Sequence, residues 1–184
     1  MKLTTTLFSL ILMTTAASTL QAEISADQVA EAHGMLPLPQ FESITYTFQA
    51  EVGEKRIDRT WTWWPATNRV KDHQTGIEYS RDDIPKEAEA IDPRFINDHY
   101  WLFFPWHAAT DEGKKVMSST QPVTAPMSGE ELHRVTVLYG SDVGYTPGDA
   151  YDLYVNEEGI IQEWAFRKAG AEAITRKCSW GEYT

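Results

Sequence analysis

Cysteine is all but missing from this chain. Cys178 is the only one in 184 residues, so no internal disulfide can staple the fold. It alternates with Arg176 and Trp180 on a strand-like stretch and reads as a small buried hydrophobe rather than a reactive thiol. Basic runs are missing as well. Sixteen Lys and Arg stand against 27 Asp and Glu, a net charge of −11, which makes the chain a poor partner for nucleic acid or an anionic lipid surface. Beyond residue 22 no apolar run is long enough to cross a bilayer. There is no internal repeat and no low-complexity segment.

Catalytic motifs are absent too. No serine sits in a nucleophile elbow. None of His33, His73, His99, His107 and His133 pairs at a helical metal spacing beside a glutamate, and Asp142 to Asp149 lacks the ligand order of a calcium loop. The carboxylate pairs Asp82-Asp83, Glu130-Glu131 and Glu157-Glu158 lie in turns or at segment ends, where charge is solvated and not tuned for acid–base work. No metal and no cofactor is expected, and an enzyme is not the first reading.

What is present begins with an address. Lys2 precedes an uncharged apolar stretch from Leu7 to Ala17, and Leu20-Gln21-Ala22 ends in a small residue before Glu23. Residues 1–22 therefore read as a secretory signal peptide, too short and too lightly flanked for a spanning helix, with a retained anchor as the alternative. The expectation is export to the periplasm or beyond, no stable membrane insertion, and a single domain over residues 23–184.

The mature region is rich in aromatics, 12% of the chain with seven Trp, and strongly alternating. Ser25 and Gln28 form a capping-box pattern that opens a short helix. Ile44, Tyr46, Phe48 and Ala50 alternate with polar residues, as do Ile57, Arg59, Trp61 and Trp63. Shorter strands are expected over Thr67–Lys71 and Ile77–Ser80, then over Lys115–Ser119, Leu132–Tyr139, Ala150–Val155, Ile160–Lys168 and Ala173–Trp180. Short turns between neighbours favour antiparallel pairing. Between the two strand groups, Pro85 to Ala90 and Asp92-Pro93 onward carry helix-start signals, and Asn97-Asp98 offers a stop.

Tyr100 to Trp106 can be read two ways. As a helix it is apolar nearly all round. Aromatic density and Pro105 favour a strand, with Tyr100, Leu102 and Phe104 on one face and Trp101 and Phe103 on the other.

The set Asn97-Asp98-His99-Tyr100-Trp101-Leu102-Phe103-Phe104-Pro105-Trp106, Asp111-Glu112-Gly113, Gly144 to Tyr151, Leu153-Tyr154-Val155 and Trp164 resembles exported bacterial proteins related to the outer-membrane lipoprotein-sorting proteins, the LolA-like superfamily. The likeness runs over about Phe41 to Trp180. It implies a mainly β (α+β) fold: a curved antiparallel sheet forming an open half-barrel, closed on its concave side by short helices. It implies sequestration of a hydrophobic ligand, a lipid or a lipoprotein acyl chain. The chain departs from the carriers in its tryptophan load. The carriers' lid arginine has no sure counterpart, although Arg56 and Arg59 lie on a strand in the corresponding region.

The expected cavity lining is Tyr46, Phe48, Trp61, Trp63, Leu102, Phe104, Leu153, Val155, Trp164 and Phe166. Apolar area contributes about 25 cal/mol per Å² on leaving water, enough to hold an acyl chain without a specific polar contact. Two other readings stay open: an envelope interaction or scaffold protein with a filled core and a protein partner, and a hydrolase or metalloenzyme using Asp98, His99 and His107.

Overall fold

The structure is a computed structural model that describes residues 23–36, 40–52, 54–142 and 146–181. The proposed signal peptide and the Gly144-Tyr145 part of the long turn lie outside the described residues. Ser25 caps the first helix as its pattern requires: its side chain accepts from the Gln28 amide, and Gln28 accepts from the Ser25 amide. This helix is α1 (Ala26–Ala32), which buries Ala26, Val29 and Ala30.

Period-two alternation then builds the first sheet. β1 (Ile44–Val52), β2 (Lys55–Trp64), β3 (Arg69–Asp72) and β4 (Glu78–Ser80) pair antiparallel in that order. On one face of the β1–β2 hairpin, Thr45 meets Thr62 and Thr47 meets Thr60 through their hydroxyls. The other face carries Tyr46 opposite Trp61 and Ile44 opposite Trp63.

The second sheet holds β5 (Lys114–Ser118), β6 (Val123–Thr124), β7 (Glu131–Tyr139), β8 (Ala150–Val155), β9 (Ile161–Arg167) and β10 (Arg176–Ser179). Its order is β10-β9-β8-β7-β5, with β6 also on β7, all antiparallel. All the expected strands except the one over Tyr100 to Trp106 thus exist, and the fold is a β-rich α+β one. They form two sheets of four and six strands instead of one, and no barrel closes among the described residues.

Between the sheets in sequence come α2 (Asp92–Leu102) and α3 (Phe104–Thr110). This corrects the strand expected over Tyr100 to Trp106. A helix apolar nearly all round is stable where several of its sides are covered. α2 and α3 meet that condition: Phe95, Phe103 and Trp106 pack with Trp61, Trp63, Val70 and Tyr79 of the first sheet. Tyr100, Trp101, Phe104 and Ala108 pack with Val135, Val137, Leu153 and Trp164 of the second, and Ile96 touches both clusters. Pro105 does not end a strand. It sits in the first turn of α3, where its missing N–H costs nothing.

Nor do Asn97 and Asp98 stop α2. Asp98 is fully buried, and its carboxylate accepts from Arg59 Nε at 2.7 Å and Trp61 Nε1 at 2.8 Å on β2. A side chain so engaged no longer competes for the helix backbone. Asp92 likewise does not cap α2. It is the first helical residue, and its Oδ1 accepts from Tyr79 Oη at 3.1 Å and Arg81 Nε at 2.9 Å. The helix expected over Pro85 to Ala90 shortens to a single 3-10 turn, Lys86–Ala88. No helix among the described residues is long and apolar enough to cross a membrane.

Candidate functional site

Strand register assembles one wall of a cleft. Phe166 on β9 stands opposite Tyr151 on β8 and Arg176 on β10; the next rung is Leu153, Trp164 and Cys178. Opposed residues share a face, so Arg176, Phe166, Tyr151 and Trp164 rise together from the second sheet. The facing wall comes from α2. Pro93, Ile96, Asn97, Tyr100 and Trp101 recur at spacings of three and four and so share a side of the helix. With Asp92, Thr146 and Asp149 at the edges, these groups enclose about 530 Å³.

The interior is aromatic. The rings of Trp101 and Trp164 lie 4.7 Å apart at 40°, those of Tyr151 and Phe166 5.3 Å apart at 45°, and those of Tyr151 and Trp164 5.6 Å apart at 47°. Trp164 is only 4% exposed, yet its indole N–H has no hydrogen-bond partner among the described residues. Burial foremost pushes the Tyr151 phenol up to about 12, so it stays protonated at neutral pH.

At the rim, Asp92 is held by Tyr79 and Arg81. Asp149 Oδ1 accepts from the Ala169 amide at 2.8 Å. The Asn97 amide donates to Asp98 at 3.2 Å. Arg176 is exposed and makes no ion pair among the described residues.

Of the ten residues expected to line a cavity, Trp164 and Phe166 lie on this cleft. Phe104, Leu153 and Val155 are fully buried in the core under the second sheet. Trp61 and Trp63 of the first sheet are buried against Phe95 and Trp106 of the helices, with Tyr46 in the same cluster. Phe48 is half-buried, with the Arg59 guanidinium 5.6 Å above its ring, and Leu102 is half-buried at the end of α2. The structure therefore does not gather the ten into one cavity. Among the residues it adds are Ile96, Tyr100, Trp101, Tyr151 and Arg176. Ile96, Tyr100 and Trp101 become visible once residues 93–101 are counted in helical steps.

Asp98, His99 and His107 are not one group. Asp98 belongs to Arg59 and Trp61. Arg59, not Arg56, is the β2 arginine that reaches a helix. The histidines join a separate chain. His107 Nδ1 donates to Asp111 Oδ1 at 2.8 Å, since a carboxylate only accepts; with a neutral His107 ring, Nε2 then accepts from His99 Nδ1 at 2.8 Å. Asp111 Oδ2 accepts from Tyr100 Oη at 2.7 Å and Tyr139 Oη at 2.8 Å. Burial first, then His107 and Arg81, hold the His99 pKa well below its ordinary value. Burial pushes the Asp111 carboxyl up, but the bonds from His107, Tyr100 and Tyr139 outweigh it and the net shift is downward.

The chain ties α2, α3 and β7 together through satisfied bonds. No group of three or more His, Cys, Asp or Glu able to hold a metal occurs among the described residues. The arrangement best placed to meet another molecule is thus the aromatic cleft. No protein-family model, curated protein or solved structure matches the chain.

Proposed function

We propose that this protein binds or carries a hydrophobic ligand, a lipid or an acyl chain, in the cleft between α2 and the second sheet. The observation that carries this is the aromatic enclosure of about 530 Å³. That volume is in the range of sites for one small ligand, roughly 300–1,000 Å³. Trp101, Tyr151, Trp164 and Phe166 supply apolar area, and no metal or cofactor is needed for sequestration. In this reading the two sheets around α2 and α3 act as walls of an open half-barrel of LolA type. Residues 1–22 direct export to the periplasm, and the ligand is taken up there.

Native mass spectrometry of protein purified without detergent tests the proposal. A mass excess of one lipid-sized molecule is expected, and it should be lost in a Trp101→Ala, Phe166→Ala double variant. A bare polypeptide mass, with a melting temperature unmoved by added fatty acid or phospholipid, would sink it and favour the scaffold reading. N-terminal sequencing of the exported protein checks the address, with Glu23 expected first.

A further inference from the structure

We propose that the ligand in this cleft carries an anionic head, a carboxylate or phosphate held by Arg176 at the mouth. The inference rests on the reading of the cleft as the binding site and specifies which hydrophobic molecules it accepts.

Two independent observations converge. The first is Arg176. It pairs with Phe166 across β9 and β10, so its guanidinium rises from the same face as the aromatic wall. Elsewhere in this acidic chain Arg59, Arg81 and Arg167 are each held by a largely buried aspartate, Asp98, Asp92 and Asp152. Arg176 has no such partner among the described residues, although it lines the cleft. A guanidinium fork matches the paired oxygens of a carboxylate or phosphate. The second is Trp164, a residue of the same wall whose buried indole N–H has no partner among the described residues. A buried donor left unmade is costly and calls for an acceptor.

The carboxylates at the rim do not answer these donors. Asp92 is committed to Tyr79 and Arg81, and one oxygen of Asp149 to the Ala169 amide. A cleft built for a cation would show the reverse, with free carboxylates around a box of ring faces. Here Arg176 and the Trp164 N–H are donors only, and the Thr146 hydroxyl on the same lining can donate as well. The apolar body then lies among Trp101, Tyr151, Trp164 and Phe166, with the charge left where Arg176 is exposed to water.

The test titrates the full chain, purified without detergent and stripped of lipid, by calorimetry with four probes of one chain length: decanoate, decyl phosphate, decanol and decyltrimethylammonium. At least one anion should bind about tenfold tighter than decanol, the size of one charge-assisted contact. The ammonium should bind weakest. Whether decanoate or decyl phosphate leads distinguishes the two acid heads. Arg176→Gln should bring the anions down to decanol while leaving decanol itself unchanged, and Arg176→Lys should keep part of the preference. Trp164→Phe should lower anion affinity more than decanol affinity.

Equal binding of anion and alcohol, tightest binding of the ammonium, or an anion preference that persists in Arg176→Gln would each overturn the inference while leaving a hydrophobic site in place. Failure of all four probes to bind would remove the site itself. Arg176 is exposed, so its variants should fold, and a matching melting curve verifies this.

Discussion

α2 meets two sheets, and it meets them differently. Toward the first sheet the contact is sealed. Arg59 and Trp61 hold Asp98, and Tyr79 and Arg81 hold Asp92; around these bonds Trp61, Trp63, Phe95 and His99 pack ring against ring. Toward the second sheet the same helix leaves space between Trp101 and the rung of Tyr151, Phe166 and Arg176. The difference shows a division of labour. Charge-assisted bonds fix the helix to one sheet, so the opposite side need not be packed shut to hold it. A helix face can be left open to a cleft where bonds on its other side provide the anchor.

The largest effect should come from cutting that anchor. Asp98→Ala leaves Arg59 without its carboxylate and strands the Trp61 N–H, both in nearly dry surroundings. Breaking one side of a buried pair costs about 3–5 kcal/mol. Urea denaturation should show a loss of that size, whereas Arg176→Gln on the cleft side should stay within about 0.5 kcal/mol. Comparable losses from the two would end the distinction between a sealed and an open side.

Acid should separate the two sides next. His99 faces Trp63, Tyr46 and Phe103 toward the first sheet and is held neutral. Its folded pKa lies below the unfolded value near 6.5, so its contribution is complete above that pH. As pH falls below about 6.5 the unfolded chain takes up a proton that the folded one refuses, and stability declines until the folded value is passed. Urea titration should therefore show stability declining from pH 7.5 to 5.5. Asp111, bonded to Tyr139 of the second sheet, has a lowered folded pKa. Its contribution is present above the ordinary carboxylate range and is lost only as pH falls below it. A His99→Gln variant should therefore lose the upper window and keep the lower. If the upper window survives, another group produces it.

How much of this was legible beforehand differs by element. Ile44–Val52 was readable from its strict alternation, and Ala150–Val155, buried on both faces, from the turn signals that bound it at each end. Phe95 to His107 was not. Aromatic rings and Pro105 are compatible with both a strand end and a helix start, and only the presence of two sheets decides that an all-round apolar helix is covered. The cleft was hidden for the same reason. Trp164 and Phe166 announce themselves by alternation, but Trp101 joins them only through the helical turn, and Arg176 only through the register of β10 on β9. The β2 partners of Asp98 lie 37 and 39 residues away in sequence, beyond any local pattern.

Two tryptophans then give the finest test of the contrast, because both are buried and they differ in one hydrogen bond. Trp61 is 1% exposed and donates to Asp98; Trp164 is 4% exposed and donates to no described residue. Replacing either by Phe removes an indole N–H and leaves a small gap of similar size, so the cavity cost largely cancels between them. What remains is the bond. Trp61→Phe deprives a buried carboxylate of a donor, whereas Trp164→Phe removes a donor that was already costing stability unmade. Trp61→Phe should therefore be the more destabilising by about 1 kcal/mol in ligand-free protein. Added decanoate should narrow that gap if a bound acid satisfies the Trp164 N–H, because the wild-type residue then gains what the phenyl ring cannot offer. Equal losses in both variants, with or without the acid, would mean that the two sides of α2 differ in shape alone and not in how their polar groups are satisfied.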